Sequence, residues 1–221
     1  MVYSQAQASI STLSAGVARA AEARDFPEWH HGRETYAVWI LGLEDYDVRE
    51  KVKAARERLN GYLLEPYPRQ PHITLFVCGF LVDRPQYNDD FTHEQLGAQI
   101  QTLEKAQIAP FEIEIGGLNS FASAPFLEVH DLEGGIPRLR KVLSRCAREF
   151  RTAPYIPHLT VGLYAGAFPS EQVARRLADF SGKPIRWEVN QITLATYQAN
   201  EFAGKLSYEQ HISLEAGFDD A

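Results

Sequence analysis

No stretch of the chain approaches the roughly 18 consecutive apolar residues of a membrane-spanning helix, so no membrane partner is expected. Cysteine is nearly absent. Cys78 and Cys146 are too few for a disulfide scaffold and show no CxxC spacing, which points to a reducing compartment. The first residues lack the basic start and long apolar centre of a secretory signal, and the cytoplasm is the expected location. Gly116-Gly117 and Gly134-Gly135 match neither a P-loop nor a dinucleotide-binding turn and read as simple turns. Basic charge is in deficit, with 22 Lys and Arg against 29 Asp and Glu, a formal −7. Such a chain repels long nucleic acid unless positive charge is gathered locally. What is present is ordinary globular material. The 221 residues are 45 % hydrophobic, enough for a sizeable core, and their 12 prolines and 15 glycines are scattered rather than clustered in a linker.

Residues 1–33 read as an N-terminal helical extension, because Ile10, Leu13 and Val17 fall near helical spacing in an Ala/Ser/Gln-rich stretch from Ser4 to Arg24. It either packs on the domain or hangs loose. Residues 34–221 read as the domain itself. Thr35–Leu43 (TYAVWILGL) is expected to be a buried strand, and Asp47–Leu64 an amphipathic helix with Asp47 as N-cap. Pro71–Phe80 reads as a strand that opens on proline, where no ladder donor is needed. After a polar turn over Asp83–Asp90, the pattern predicts a helix over Thr92–Lys105 and a half-exposed strand over Phe111–Ile115. Gly116-Gly117 is expected to break that strand, and Phe126–Val129 to pair with it. A helix over Ile136–Phe150, a strand over Pro157–Tyr164, a helix over Ser170–Phe180 and strands near Trp187–Tyr197 and Leu206–Leu214 complete the reading.

One unit occurs twice. A helix, a proline-broken turn and a strand opening Pro-His-apolar-Thr-apolar appear first as PHITL and again as PHLTV, with His72 and His158 86 residues apart. From the chain's 12 Pro, 7 His and 9 Thr, about 0.015 copies of Pro-His-x-Thr are expected by chance. Strand periodicity puts His72 and Thr74 on one face with Ile73 and Leu75 on the other, and likewise His158 and Thr160 against Leu159 and Val161. If the halves are related by an approximate two-fold, the two polar pairs face one cleft. The residue types suit phosphoester cleavage. Imidazole titrates near neutrality, so one ring takes a proton from the attacking oxygen while the other gives one to the departing oxygen. The threonine hydroxyls donate to non-bridging phosphate oxygens as charge develops. Two histidines without an acidic or thiolate companion make a poor metal site, so neither metal nor cofactor is expected.

Paired H-x-T-x motifs, each entering a strand after a helix and half a domain apart, resemble the two-histidine (2H) phosphoesterase superfamily. That superfamily includes the bacterial 2′-5′ RNA ligase-like proteins and cyclic nucleotide phosphodiesterases. The resemblance runs from about Thr35 to Leu214 and takes in the glycine-broken hairpin GGLNSFASAPFLEV (Gly116–Val129). It implies a bilobal α+β fold, with two antiparallel sheets and flanking helices around a central groove in pseudo-two-fold symmetry. It maps His72 and His158 onto catalytic positions and Thr74 and Thr160 onto phosphate-binding ones. This chain departs at Gly162-Leu163-Tyr164, where a basic residue often follows the second motif.

The reading is a metal-independent phosphodiesterase acting as a monomer, with no obligate protein partner, on a nucleotide or short RNA bearing a 2′,3′-cyclic phosphate or 2′-5′ linkage. The alternative is a non-catalytic nucleotide-binding module with the same groove. Phe121 and Tyr164 are the candidates for stacking on a nucleobase, and Arg69, three residues before His72, for contacting phosphate. The arginines of Arg138–Arg151 and the bases between Arg49 and Arg58 read as solvated helix faces, or else as a positive rim for an RNA end. His30-His31 suggests a metal at first glance, but adjacent residues rarely ligate together.

Overall fold

β1 (Thr35–Gly42) is apolar almost throughout because both of its faces are covered. Ala37, Trp39 and Leu41 enter the larger core, while Tyr36, Val38 and Ile40 enter a smaller one. The structure, a computed structural model, describes residues 16–150, 153–178, 180 and 182–215. Around β1 are arranged α1 (Pro27–His30), α2 (Tyr46–Arg58), β2 (His72–Val82), β3 (Asp90–Thr92), α3 (His93–Glu104), β4 (Phe111–Ser120) and β5 (Pro125–Asp131). They are followed by α4 (Gly135–Leu143), β6 (His158–Thr160), α5 (Ser170–Ala178), β7 (Ile185–Val189), β8 (Gln191–Gln198) and β9 (Ser207–Ser213).

The strands form an α+β sheet in the order β7-β4-β5-β6-β2-β1-β8-β9, antiparallel except that β3 runs parallel to β2. The two expected sheets are therefore the halves of one continuous sheet. They join where Ile73 of β2 pairs with Leu159 of β6. A two-fold through that pair exchanges β2 with β6, β1 with β5, β8 with β4 and β9 with β7. The units β1–α2–β2 and β5–α4–β6 are then equivalent, which is the internal duplication seen in the sequence.

Several boundaries differ from expectation. The α2 cap is Asp45, whose carboxylate accepts the Asp47 N–H at 2.8 Å, and the helix ends at Arg58 so that Leu63 can bridge to Tyr164. α4 stops at Leu143 rather than Phe150, closed by the Ser144 hydroxyl on the Arg140 carbonyl at 2.7 Å. Its start is held by Asp131, whose carboxylate accepts from the N–H groups of Gly134, Gly135 and Ile136 at 2.8, 3.1 and 2.8 Å. Gly116-Gly117 does not break β4. The strand continues to Ser120 through a bulge between Ile115 and Leu118. The expected strand over Pro157–Tyr164 keeps only three residues, and the one near Trp187–Tyr197 divides at Asn190, where the chain crosses from one half of the sheet to the other. β3 lies at the end of what reads as a plain polar turn.

Residues 1–15 of the N-terminal extension lie outside the described residues, and its described part is not helical before α1. Ala18, Arg19 and Ala21 donate backbone N–H groups to Phe168, Ala122 and Tyr164 at 2.8, 2.6 and 2.8 Å, so the segment pairs along the loop after the second motif. The two adjacent histidines are spoken for. His30 contacts Asp25 at 2.9 Å and accepts the Gly32 N–H, while His31 stacks on Tyr87.

Two features fix the packing around β1 and β2. Gly79 in β2 has φ +118° and faces the Asp89 carbonyl, so only a residue without Cβ fits. Gln99 of α3 is fully buried. Its Oε1 accepts from Trp39 Nε1 at 2.8 Å, and its Nε2 donates to the Leu143 carbonyl at 3.0 Å. Gln99→Leu leaves both partners buried and unpaired, and urea unfolding is expected to show a loss of about 2 kcal/mol.

Candidate active site

The register at the join of the halves builds the site. Ile73 and Leu159 point into the core, so their flanking residues all project from the opposite face. Antiparallel pairing sets His72 across from Thr160 and Thr74 across from His158. The four side chains stand on a rectangle about 5 Å across the strands and about 7 Å along them. Each short edge carries one imidazole and one hydroxyl, one from each half, and the two imidazoles lie on a diagonal. A cleft of about 530 Å³ opens over this rectangle, lined by all four residues together with Arg69, Phe121, Arg140, Glu149, Tyr67 and Tyr155.

Both rings are held alike. His72 Nδ1 donates to the Gln70 carbonyl at 2.8 Å, and His158 Nδ1 to the Ile156 carbonyl at 2.7 Å. A carbonyl only accepts, so the proton is fixed on Nδ1 and the lone pair of the neutral ring lies on Nε2. Burial drives the His72 pKa down to about 4, helped by the charges of Arg69 and His158 and opposed by the bond to Gln70. At neutral pH its Nε2 carries a lone pair. His158 packs edge-on against Phe121 and Phe126, at ring separations of 4.9 and 5.5 Å.

The other sequence candidates divide. Phe121 lines the cleft, with one face stacked on Phe126 at 4.3 Å. Arg69 also lines it. Its Nε donates to the Gly204 carbonyl at 3.0 Å, and its guanidinium lies 4.1 Å over the Tyr197 ring. Among the described residues no carboxylate pairs with it. Tyr164 is a correction: it is fully buried, its hydroxyl 2.6 Å from the Ser120 hydroxyl, and it does not reach the cleft. Strand parity fails for it because β6 ends at Thr160 and the chain then bridges at Tyr164 to Leu63 instead.

Little of the basic charge on helices α2 and α4 enters the cleft lining. Arg49 and Arg56 of α2 pair with Glu44 and Glu65, and α2 supplies no residue to the described lining. From α4 only Arg140 enters, joined to Glu149 at 2.8 Å. Tyr67 and Tyr155 also line the cleft, although neither was assigned a contact from the sequence. A signal existed: Pro66-Tyr67 and Pro154-Tyr155 precede the two motifs by similar distances. Among the described residues no three His, Cys, Asp or Glu side chains gather as a metal would require, and no helix is long and apolar enough to cross a membrane.

Comparison with known proteins agrees with this geometry. A family model described as the 2′-5′ RNA ligase superfamily matches residues 44–201, well over half of the chain. No curated protein sequence matches. Among solved structures, Escherichia coli LigT complexed with 3′-AMP is similar at a TM-score of 0.55 and 15 % identity, over 82 % of this chain and 98 % of that one. The same protein complexed with phosphate gives 0.53 and 16 %, over 83 % and 99 %. The protein TT0787 of Thermus thermophilus gives 0.52 and 16 %, over 82 % and 99 %. At such identities the likeness establishes the fold.

Proposed function

The chain belongs to the 2′-5′ RNA ligase superfamily of 2H phosphoesterases, and on that footing we propose that it is a metal-independent phosphodiesterase of nucleotides or RNA ends. The preferred substrates carry a 2′,3′-cyclic phosphate or a 2′-5′ linkage. The observation that carries this reading is the rectangle of His72, Thr160, His158 and Thr74, which sets two imidazoles and two hydroxyl-bearing side chains on one cleft. Nucleotide and phosphate complexes of the structurally similar LigT support it.

In the proposed reaction Thr74 and Thr160 donate to the non-bridging oxygens, with Arg69 adding positive charge. His72, neutral before substrate arrives, accepts the proton of the attacking water at Nε2. His158 donates its proton to the departing ribose oxygen as the phosphorus–oxygen bond breaks, and transfer of one proton back resets the pair. Phe121 offers its exposed edge and face to the nucleobase beside His158. The cytoplasm remains the expected location.

A panel of 2′,3′-cyclic and 2′-5′-linked substrates, assayed with EDTA present, tests the reading. Chelator-insensitive turnover that disappears in His158→Ala supports it. Tight binding of adenosine monophosphates without turnover of any substrate favours the binding module instead.

The depressed His72 pKa has two signatures. Catalytically, the acid limb of kcat/KM falls well below 6.5, because the base resists protonation until the pH nears 4. A limb at 6.5 or above removes His72 from the base role. Thermodynamically, protonation favours the unfolded chain, where histidine titrates near 6.5. The stability linked to neutral His72 is complete above that pH and is lost as pH falls through the folded value.

A further inference from the structure

β2 has an incomplete neighbour on the edge that carries the site. β6 meets it only at Ile73, and β3 joins only from Phe80 onward. Among the described residues no strand pairs with that edge in between. Backbone groups left open there cost free energy and let the strand shift.

Three side chains occupy the gap. The Tyr155 hydroxyl donates to the Thr74 carbonyl at 2.9 Å, Arg140 Nη1 donates to the Leu75 carbonyl, and Glu149 Oε1 accepts the Val77 N–H at 3.1 Å. The three are also joined to one another. Arg140 Nη2 donates to Glu149 Oε2 at 2.8 Å, and the Arg140 guanidinium lies 3.8 Å over the Tyr155 ring. All of them come from the second half of the chain, and all bind the strand that carries the first motif. Tyr155 is three residues before His158, and its neighbour Ile156 supplies the carbonyl that orients the His158 ring. One short segment thus touches the backbone of Thr74 and sets the tautomer of His158.

We propose that Tyr155, Arg140 and Glu149 are positioning residues that stand in for a missing strand and fix the Thr74 hydroxyl relative to His158. The inference rests on the phosphodiesterase reading for its kinetic consequence but not for its geometry. Tyr155 acts through Thr74, so the two substitutions do not add.

The test is a double-mutant cycle of Tyr155→Phe and Thr74→Ala. It is read both as kcat on a 2′,3′-cyclic nucleotide and as the calorimetric Kd of adenosine 2′-monophosphate. Tyr155→Phe keeps the ring under Arg140 and removes one hydroxyl. It is expected to lower kcat about tenfold with a smaller change in KM. The double variant is expected to be no worse than Thr74→Ala alone. Glu149→Gln, which keeps an acceptor for Val77 and loses the charged partner of Arg140, should show the same non-additivity and serves if Tyr155→Phe unfolds. Additive losses, or unchanged kcat and Kd in both single variants, overturn the proposal. Wild-type protein that binds the monophosphate without turning over any substrate overturns the phosphodiesterase reading instead, and the cycle in Kd then decides the positioning role.

Discussion

Alanine at His72 or at His158 is expected to lower kcat/KM on a 2′,3′-cyclic substrate by about 10²–10⁴-fold, the usual worth of a general acid or base. The losses should not multiply in the double variant. Once one proton transfer is missing, the other ring no longer acts at the rate-limiting step, and what remains is the stabilisation given by Thr74, Thr160 and Arg69. Each ring is anchored through Nδ1 to a carbonyl two residues back, and both sit at strand starts in the cleft wall, so the variants should fold. Thermal melts of the single variants within a few degrees of wild type, alongside the kinetic loss, assign the effect to chemistry. A fully active alanine variant at either position ends the two-histidine mechanism.

The second large effect concerns stability. A Cβ at Gly79 would stand 2.2 Å from the Asp89 carbonyl oxygen, and the backbone there has φ +118°. That oxygen accepts the Phe80 N–H at 2.8 Å, so it cannot retreat without opening the turn between β2 and β3. The turn is itself tied down. The Asp89 carboxylate pairs with Arg33 Nη1 at 2.7 Å, and the Arg33 guanidinium lies 3.7 Å over the Phe80 ring. Gly79→Ala therefore combines backbone strain with overpacking, together about 4 kcal/mol. The melting temperature should fall by roughly 8–16 °C at this chain length. A change within about 0.5 kcal/mol in denaturant unfolding would show that the turn relaxes freely, contrary to these contacts.

The parts of the molecule legible in the sequence are those set by short-range pattern. The alternation in PHITL and PHLTV fixed which residues share a face, and the structure brings all four polar ones to one cleft with Arg69 and Phe121. The continuous apolar run of β1 announced a strand covered on both sides. The capping box of Thr92 and Gln95 places the start of α3 where it was expected. What was not legible depends on partners far along the chain. Tyr164 looks like a groove residue only if the strand continues past Thr160, and nothing local says that it ends there. Gly116-Gly117 reads as a break, whereas pairing with β5 turns it into a bulge. The fate of Arg140 required knowing that Glu149 folds back beside it and that β2 lacks a neighbour at Leu75 and Val77. The division at Asn190 reflects only which edges of the sheet remain free for β7 and β8.

The pairing of Ile73 with Leu159 has one more consequence. Either half alone owns one imidazole and one hydroxyl about 7 Å apart on the same strand, while each short edge of the rectangle draws one group from each half. Two identical half-length chains, associated through that same strand contact, would assemble the same four corners. The site thus has the geometry of a homodimer interface enclosed within a single polypeptide, and on the proposed mechanism covalent linkage is what would free its two histidine corners to diverge into a proton acceptor and a proton donor.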